Sequence, residues 1–223
     1  MNPDNDLNDT NEDLKNALTS FTAYLLDGNR QGCRIITEEL LSKGTPVPSL
    51  YQDIFQPALY RIGELWEMNR ISVAREHIAT SIVESMLSLT FPLICNASPT
   101  GRKVLVACTP GELHQLGARM VADTLEMHGW DTSFSGANTP ATSIVHHLAE
   151  TRPDLLCLSL STHMNLSSLL QTIAQVREKY SDIPIAVGGK AFRGGWAEKL
   201  SEFQGVRHGA SLSGLEEMIR SGR

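Results

Sequence analysis

The sequence predicts an α/β protein preceded by an all-helical part, and three observations predict it. Apolar residues recur at helical spacing through residues 13–95. A turn-rich stretch, Asn-Ala-Ser-Pro-Thr-Gly, follows at 96–101. Beyond it, short apolar runs alternate with amphipathic segments, the mark of crossover units and a parallel sheet. The 223 residues are 41% hydrophobic and 20% charged, an ordinary globular balance that excludes collagen-like and disordered chains.

The opening residues 1–12 are rich in Asn and Asp without periodicity and read as an acidic, mobile tail. A first helix is expected from Asp13, with Leu14, Ala17, Leu18, Phe21 and Leu25 on one face, up to Gly28. A second runs from about Gln31 to Ser42 with Ile35, Ile36, Leu40 and Leu41 inward, and stops at Gly44. A third segment, Leu50 to Met68, contains Pro57, which should kink it. A fourth starts near Ser72 as N-cap, with Ile78, Ile82, Met86 and Ala79, Val83, Leu87 on adjoining rows. Four helices with short links predict an N-terminal four-helix bundle over 13–95.

In the second part, KVLVAC at 103–108 reads as a buried strand, followed by a helix at 114–128. Further strands are expected at 130–136, 154–161, 183–188 and 206–208. Helices are expected at 140–150, 165–179, 196–203 and 212–221. Five strands alternating with helices make a flavodoxin/Rossmann-like, doubly wound parallel sheet over 102–223. In such sheets ligands sit beyond the carboxyl ends of the strands, so chemistry is sought there.

Several classes fall away. The net charge of -6 argues against a binder of nucleic-acid phosphates, which needs a Lys/Arg surplus. Asp4, Asp6, Asp9, Glu12 and Asp13 supply nearly all of that excess, so the rest of the chain is close to neutral. Cys33, Cys95, Cys108 and Cys157 are far apart and form no CxxC, so they read as buried free thiols in a reducing, cytoplasmic setting. The polar start resembles no signal peptide, and no membrane span is expected. No nucleophile–base pair or hydrolytic metal cluster stands out, so an independent enzyme is not expected.

The strand ends carry the chemistry. After the first strand the loop reads Thr-Pro-Gly-Glu-Leu-His-Gln-Leu-Gly, giving Glu112-x-His114-x-x-Gly117. A carboxylate two residues before a His can accept its ring N–H and fix the tautomer for metal binding. The third strand ends in Ser159-Leu160-Ser161-Thr162, whose hydroxyls suit a ligand or their own backbone. The fourth ends in Gly188-Gly189, which marks a tight turn, a close ligand, or both.

The combination Glu112-x-His114-x-x-Gly117, Ser159-x-Ser161 and Gly188-Gly189 resembles the cobalamin-binding domain of methionine synthase, corrinoid carriers and cobalamin-dependent mutases. That family has Asp where Glu112 stands and Leu where Ser161 stands. The resemblance implies cobalamin bound base-off, with His114 as lower axial cobalt ligand and Glu112 as its carboxylate partner. It also implies contacts to the cofactor from Leu113, Gly117, Ser159, Ser161, Thr162, Gly188 and Gly189. Upstream, Trp66, nine intervening residues, then Glu76-His77 is similar to the helical cap of cobalamin photoreceptor regulators. In that family these positions pack over the upper, reactive face. Trp66 offers a flat apolar wall there. His77 is the candidate upper ligand after loss of an alkyl group, because Glu67 occupies the position after the Trp where some of those regulators have His.

The resemblance therefore implies a sensor holding adenosylcobalamin, methylcobalamin or hydroxocobalamin and responding to light. Only the acidic tail precedes the bundle, where such regulators carry a DNA-binding domain. Direct contact with nucleic acid is then not expected, and the signal should pass to a protein partner, such as a transcription regulator or signalling protein, or through a homo-oligomer. The alternative is a methyl-carrying corrinoid protein serving a methyltransferase. Of the other histidines, His128 reads as a helix-end residue. His146 and His147 diverge by about 100° on one helix and cannot chelate together. His163 reads as a solvated loop residue and His208 as a neighbour of the tail pocket. Trp130 and Trp196 read as packing residues, and Lys190 and Arg193 as residues of a glycine-rich loop.

Overall fold

The computed structural model describes the backbone of residues 3–221 and the side chains of residues 12–217. The chain divides into two compact units, Met1–Leu93 and Ile94–Arg223.

The first unit is helical: α1 (Pro3–Asp27), α2 (Arg30–Ser42), the single turn α3 (Val47–Ser49), a π-helical turn (Leu50–Phe55), α4 (Gln56–Glu67) and α5 (Val73–Ile94). α1 begins at Pro3 rather than Asp13, so the stretch expected to be a mobile tail continues the helix. The sequence allows it, since Pro suits the first position of a helix. Pro57 falls where the π turn passes into α4: the backbone stays helical through Phe55 and Gln56, and Gln56 N donates to Tyr51 O, so the coil is continuous and its turn just before the proline is π-type rather than α.

The unit's core gathers Phe21 and Leu25 of α1, Leu50, Tyr51, Ile54 and Phe55 of the π turn, Ala58 and Ile62 of α4, and Ala79, Ile82 and Val83 of α5. Phe21 stacks on Phe55 at 5.4 Å between centroids, and the buried Tyr51 hydroxyl pairs with Thr90 Oγ1 at 2.7 Å. α2 buries Gly32, Cys33, Thr37 and Leu40 instead of the expected Ile35, which is exposed. The packing of this face requires glycine at 32, because a Cβ there would stand 2.6 Å from the ring of Tyr24. Ser72 caps α5, its Oγ accepting from Arg75 N at 3.3 Å. Against expectation, α5 is long and apolar enough to cross a membrane by length and composition. Its Ala79, Ile82, Val83, Met86 and Leu87 are buried in this unit, as in a core helix.

The second unit is a five-stranded, all-parallel sheet in the order β2-β1-β3-β4-β5. Its strands are β1 (Lys103–Cys108), β2 (Asp131–Gly136), β3 (Leu155–Ser159), β4 (Ile185–Gly188) and β5 (Val206–His208). The helices are α6 (Leu116–Met127), α7 (Ala141–Thr151), α8 (Leu166–Lys179) and α9 (Leu212–Ser221), with 3-10 turns at His163–Asn165, Lys190–Gly194 and Trp196–Glu202. The segment expected as a helix at 196–203 is thus 3-10. Alternation along β1 sends Leu105 and Ala107 toward α7 and α8, and Val104, Val106 and Cys108 toward α6 and α9. This covers both faces, and the chain leaves β1 toward β2 on one side and later β3 on the other. The switch point therefore lies between β1 and β3.

Three expectations in this unit change. Residues 96–101 are not a free linker: Thr100 N donates to Gly129 O at 2.8 Å. Cys95 is exposed, unlike the other three thiols. Trp196 is 39% exposed beneath Lys199 Nζ at 5.4 Å, so it is a surface residue, whereas Trp130 is buried as expected.

Candidate functional site

The loop leaving β1, residues 109–115, carries both Glu112 and His114. Glu112 is fully buried although charged, and its contacts explain how. Oε1 accepts from the His114 backbone N–H at 2.7 Å and meets His114 Nδ1 at 2.6 Å. Oε2 accepts from Ser161 N at 2.6 Å, Thr162 N at 3.1 Å and Thr162 Oγ1 at 3.4 Å. One carboxylate thus ties the His-bearing loop to the loop after β3, across the switch point. Burial pushes the Glu112 carboxyl up, but the hydrogen bonds from the His114 ring, the His114 backbone and Ser161 outweigh it and hold it below the ordinary carboxylate value. A glutamate in place of aspartate has the reach for both loops.

His114 is half exposed, with Nδ1 engaged by Glu112. Donation of an Nδ1 proton to the carboxylate selects the tautomer whose Nε2 lone pair binds a metal. Leu113 beside it is 69% exposed, an apolar side chain at the crevice. Gly117 lies in the first helical turn of α6, and beyond its own helical turn no described residue stands within 4 Å of where its Cβ would be. Packing therefore does not require that glycine, and the open space beside it admits a ligand. Gly189 differs. Its φ is 118° and a Cβ would fall 2.1 Å from Leu160 O, so the close approach of the β3 loop already requires it. Ser159 pairs in register with Gly188, and Leu160 N donates to Gly188 O at 2.9 Å.

The structure brings Glu112, His114, Ser161 and Thr162 into direct contact, with Ser159, Gly188 and Gly189 on the adjoining strand ends. The buried Thr109 hydroxyl, at the start of the same loop, has no hydrogen-bond partner among the described residues. His208, near Gly188 in sheet order, packs its ring 5.1 Å from Phe192, and burial lowers its pKa. The sequence reading missed Asn138 and Asn165, which both bond to Gly111 of this loop. The only signals were an Asn in a turn before Thr139-Pro140 and an Asn at a helix start, both common for local reasons.

In the helical unit, Trp66 stands at the end of α4 and is 39% exposed. Glu76 and His77 lie in the first turns of α5. The Glu76 carboxylate is mostly buried. It accepts from Thr80 Oγ1 at 2.9 Å through one oxygen and meets His77 Nδ1 at 2.5 Å through the other. The His77 ring is 73% exposed. The same carboxylate-to-Nδ1 arrangement therefore occurs twice, once in each unit.

Residues 102–211 match a B12 binding domain model, and residues 17–89 match a second B12 binding domain model. With the switch-point His and its carboxylate, these matches define the chain as a cobalamin-binding protein with a helical cap domain and a Rossmann-like domain. It resembles the sensory part of the HTH-type transcriptional repressor CarH of Myxococcus xanthus, with 28% identity over 186 residues, 80% of this chain. The chain spans 60% of CarH and 43% of the repressor CarA of the same organism. It is also related to monomethylamine corrinoid protein 2 of Methanosarcina acetivorans, 23% identical over 198 residues, covering 86% of this chain and 90% of that protein. The fold matches the monomethylamine corrinoid protein of Methanosarcina barkeri with a TM-score of 0.81 at 14% identity, over 94% of this chain and 99% of that one.

Proposed function

We propose that the protein is a cobalamin-binding, non-catalytic sensor that reports the state of an alkylcobalamin to a partner protein, with light as the signal. The observation that carries this reading is the pair of Glu–His contacts, Glu112–His114 and Glu76–His77, each made at the ring Nδ1. His114 serves as the lower axial ligand, with Glu112 holding its tautomer. Leu113, Gly117, Ser159, Ser161, Thr162, Gly188 and Gly189 line the path of the cofactor and its nucleotide tail. The open space at Gly117 and the unpartnered Thr109 hydroxyl support that path. Trp66, Glu76 and His77 of the helical unit are the candidate contacts to the reactive side of the cofactor. Bound alkylcobalamin would supply a light-labile cobalt–carbon bond, and His77 would offer an imidazole to the cobalt once that bond is lost; a contact that differs between the two states is what could shift the helical unit. The relation to CarH supports a regulator whose output passes through a transcription or signalling partner or a change of oligomeric state, in the cytoplasm.

The test is to load the protein with adenosylcobalamin in the dark and then illuminate it. A changed absorbance spectrum together with a changed elution volume is expected; no change in either sinks the light-sensor reading. His114→Ala should lose the His-ligated spectrum.

The second reading is a methyl carrier for a methyltransferase. The near-complete overlap with the methanogen corrinoid proteins favours it. Cycling between reduced and methylated cobalamin in the presence of a methyltransferase, with no response to light, would select it.

A further inference from the structure

The loop that carries His114 is gripped at a single residue from both sides. Gly111 donates its N–H to Asn138 Oδ1 at 2.8 Å, and its carbonyl accepts from Asn165 Nδ2 at 2.9 Å. Asn138 belongs to the loop after β2 and Asn165 to the turn after β3, and these strands flank β1 in the sheet. Each grip is doubled. The Asn138 N–H donates to the Glu112 carbonyl at 2.8 Å, and Asn165 Nδ2 also reaches Thr162 Oγ1 at 3.1 Å.

The backbone is shaped for this grip. Asn138 adopts a left-handed φ of 49°, which Asn tolerates better than other side chains because it bonds locally. Gly111 has a φ of 83°, and a Cβ there would stand 3.0 Å from Asn165 Oδ1. A side chain at 111 would strain the positive φ and crowd Asn165. Bonds to the N–H and C=O of one residue fix the peptide planes on both of its sides. Three residues later the chain reaches His114.

We propose that Asn138 and Asn165 are positioning residues for the axial histidine: they set the β1 loop so that His114 is in its ligating place before cobalamin arrives. This rests on the assignment of His114 as the lower ligand. A loop ordered in advance spares the binding step the entropy of ordering it. Neither asparagine ligates the metal; both act through Gly111 and the turn that follows.

The test uses the full chain loaded with hydroxocobalamin and four variants. Asn138→Gly removes the acceptor while leaving the backbone at ease with positive φ. Asn165→Ala removes the donor. Asn138→Asp keeps the acceptor, and His114→Ala supplies the reference spectrum without His ligation. Outer partners of metal ligands typically carry 10–100-fold in affinity, so Asn138→Gly and Asn165→Ala should each weaken cobalamin binding about tenfold. Both should move the absorbance spectrum toward that of His114→Ala, with the thermal midpoint of the apo protein unchanged, and Asn138→Asp should match the wild type. Should Asn165→Ala fail to fold, Asn138→Gly, at an exposed loop position, carries the test. Wild-type affinity and spectrum in Asn138→Gly, alongside a shifted His114→Ala spectrum, overturn the positioning role alone. Asn138→Asp falling as far as Asn138→Gly also overturns it. An unshifted His114→Ala spectrum overturns the axial assignment, and the positioning role with it.

Discussion

Replacing Glu112 by alanine removes an acceptor that five donors share. Three of those donors are backbone N–H groups, of His114, Ser161 and Thr162, in partly buried positions. A buried donor left unpaired costs about 1–3 kcal/mol, and partial access to water places these near the lower end, for a total of about 3 kcal/mol. At roughly 2–4 °C per kcal/mol for a chain of this size, the apo protein should melt about 6–12 °C lower. Glu112→Gln keeps one carbonyl oxygen and should lose less. The glutamate also carries a pH signature. Its folded pKa lies below the ordinary value of 4.5, so its stabilisation is complete above that value and disappears as pH falls beneath it. Thermal melts of apo wild type, Glu112→Ala and Glu112→Gln between pH 7 and pH 3 measure both effects. Equal midpoints for wild type and Glu112→Ala at pH 7 would refute the claim that this carboxylate holds the two loops together. Parallel pH profiles for wild type and Glu112→Gln would refute the account of its charge.

Three other outcomes are expected. Gly32→Ala drives a methyl to 2.6 Å from the Tyr24 ring and should destabilise the helical unit by about 1–3 kcal/mol, read as a lower midpoint in thermal melts. Gly189→Ala meets both a positive φ and the Leu160 carbonyl at 2.1 Å, so it should cost more than Gly32→Ala, and soluble yield together with chemical denaturation will rank the two. Thiol titration of the native protein should find one accessible cysteine, Cys95, because Cys33, Cys108 and Cys157 are buried, with burial pushing them up to about 11, 12 and 12; three or four fast thiols would contradict the packing.

Where the sequence was legible, one physical rule dominated the local choice. The five-stranded parallel sheet followed from alternating strands and helices. β1 has five consecutive buried residues and could not be mistaken for a surface element. Glu112 and His114 were visible because a charged pair beyond a buried strand has few structural uses. Elsewhere rules competed. In α2 the apolar periodicity pointed to Ile35, but the buried face carries Gly32, packed close against Tyr24, and leaves Ile35 exposed. At Pro57 a kink in an α-helix was the simple expectation, and the coil immediately before it is π-helical. The tethering of Glu112 to Ser161 and Thr162, and the two asparagines at Gly111, join residues 27 to 54 positions apart. No local pattern encodes such pairings, because each partner alone reads as ordinary turn chemistry.

The π turn at Leu50–Phe55 places one more residue in its coil than an α-helix would. One residue corresponds to about 100° of rotation, so everything downstream in α4 is dialled round by that angle relative to the residues before it. Trp66 inherits this phase. Substitutions within the turn change what is packed, but a single-residue deletion changes direction: it would turn the whole of α4, Trp66 included, by about 100° relative to the residues before the turn, with every side chain beyond residue 56 intact. Length at this point, more than composition, sets where the tryptophan faces.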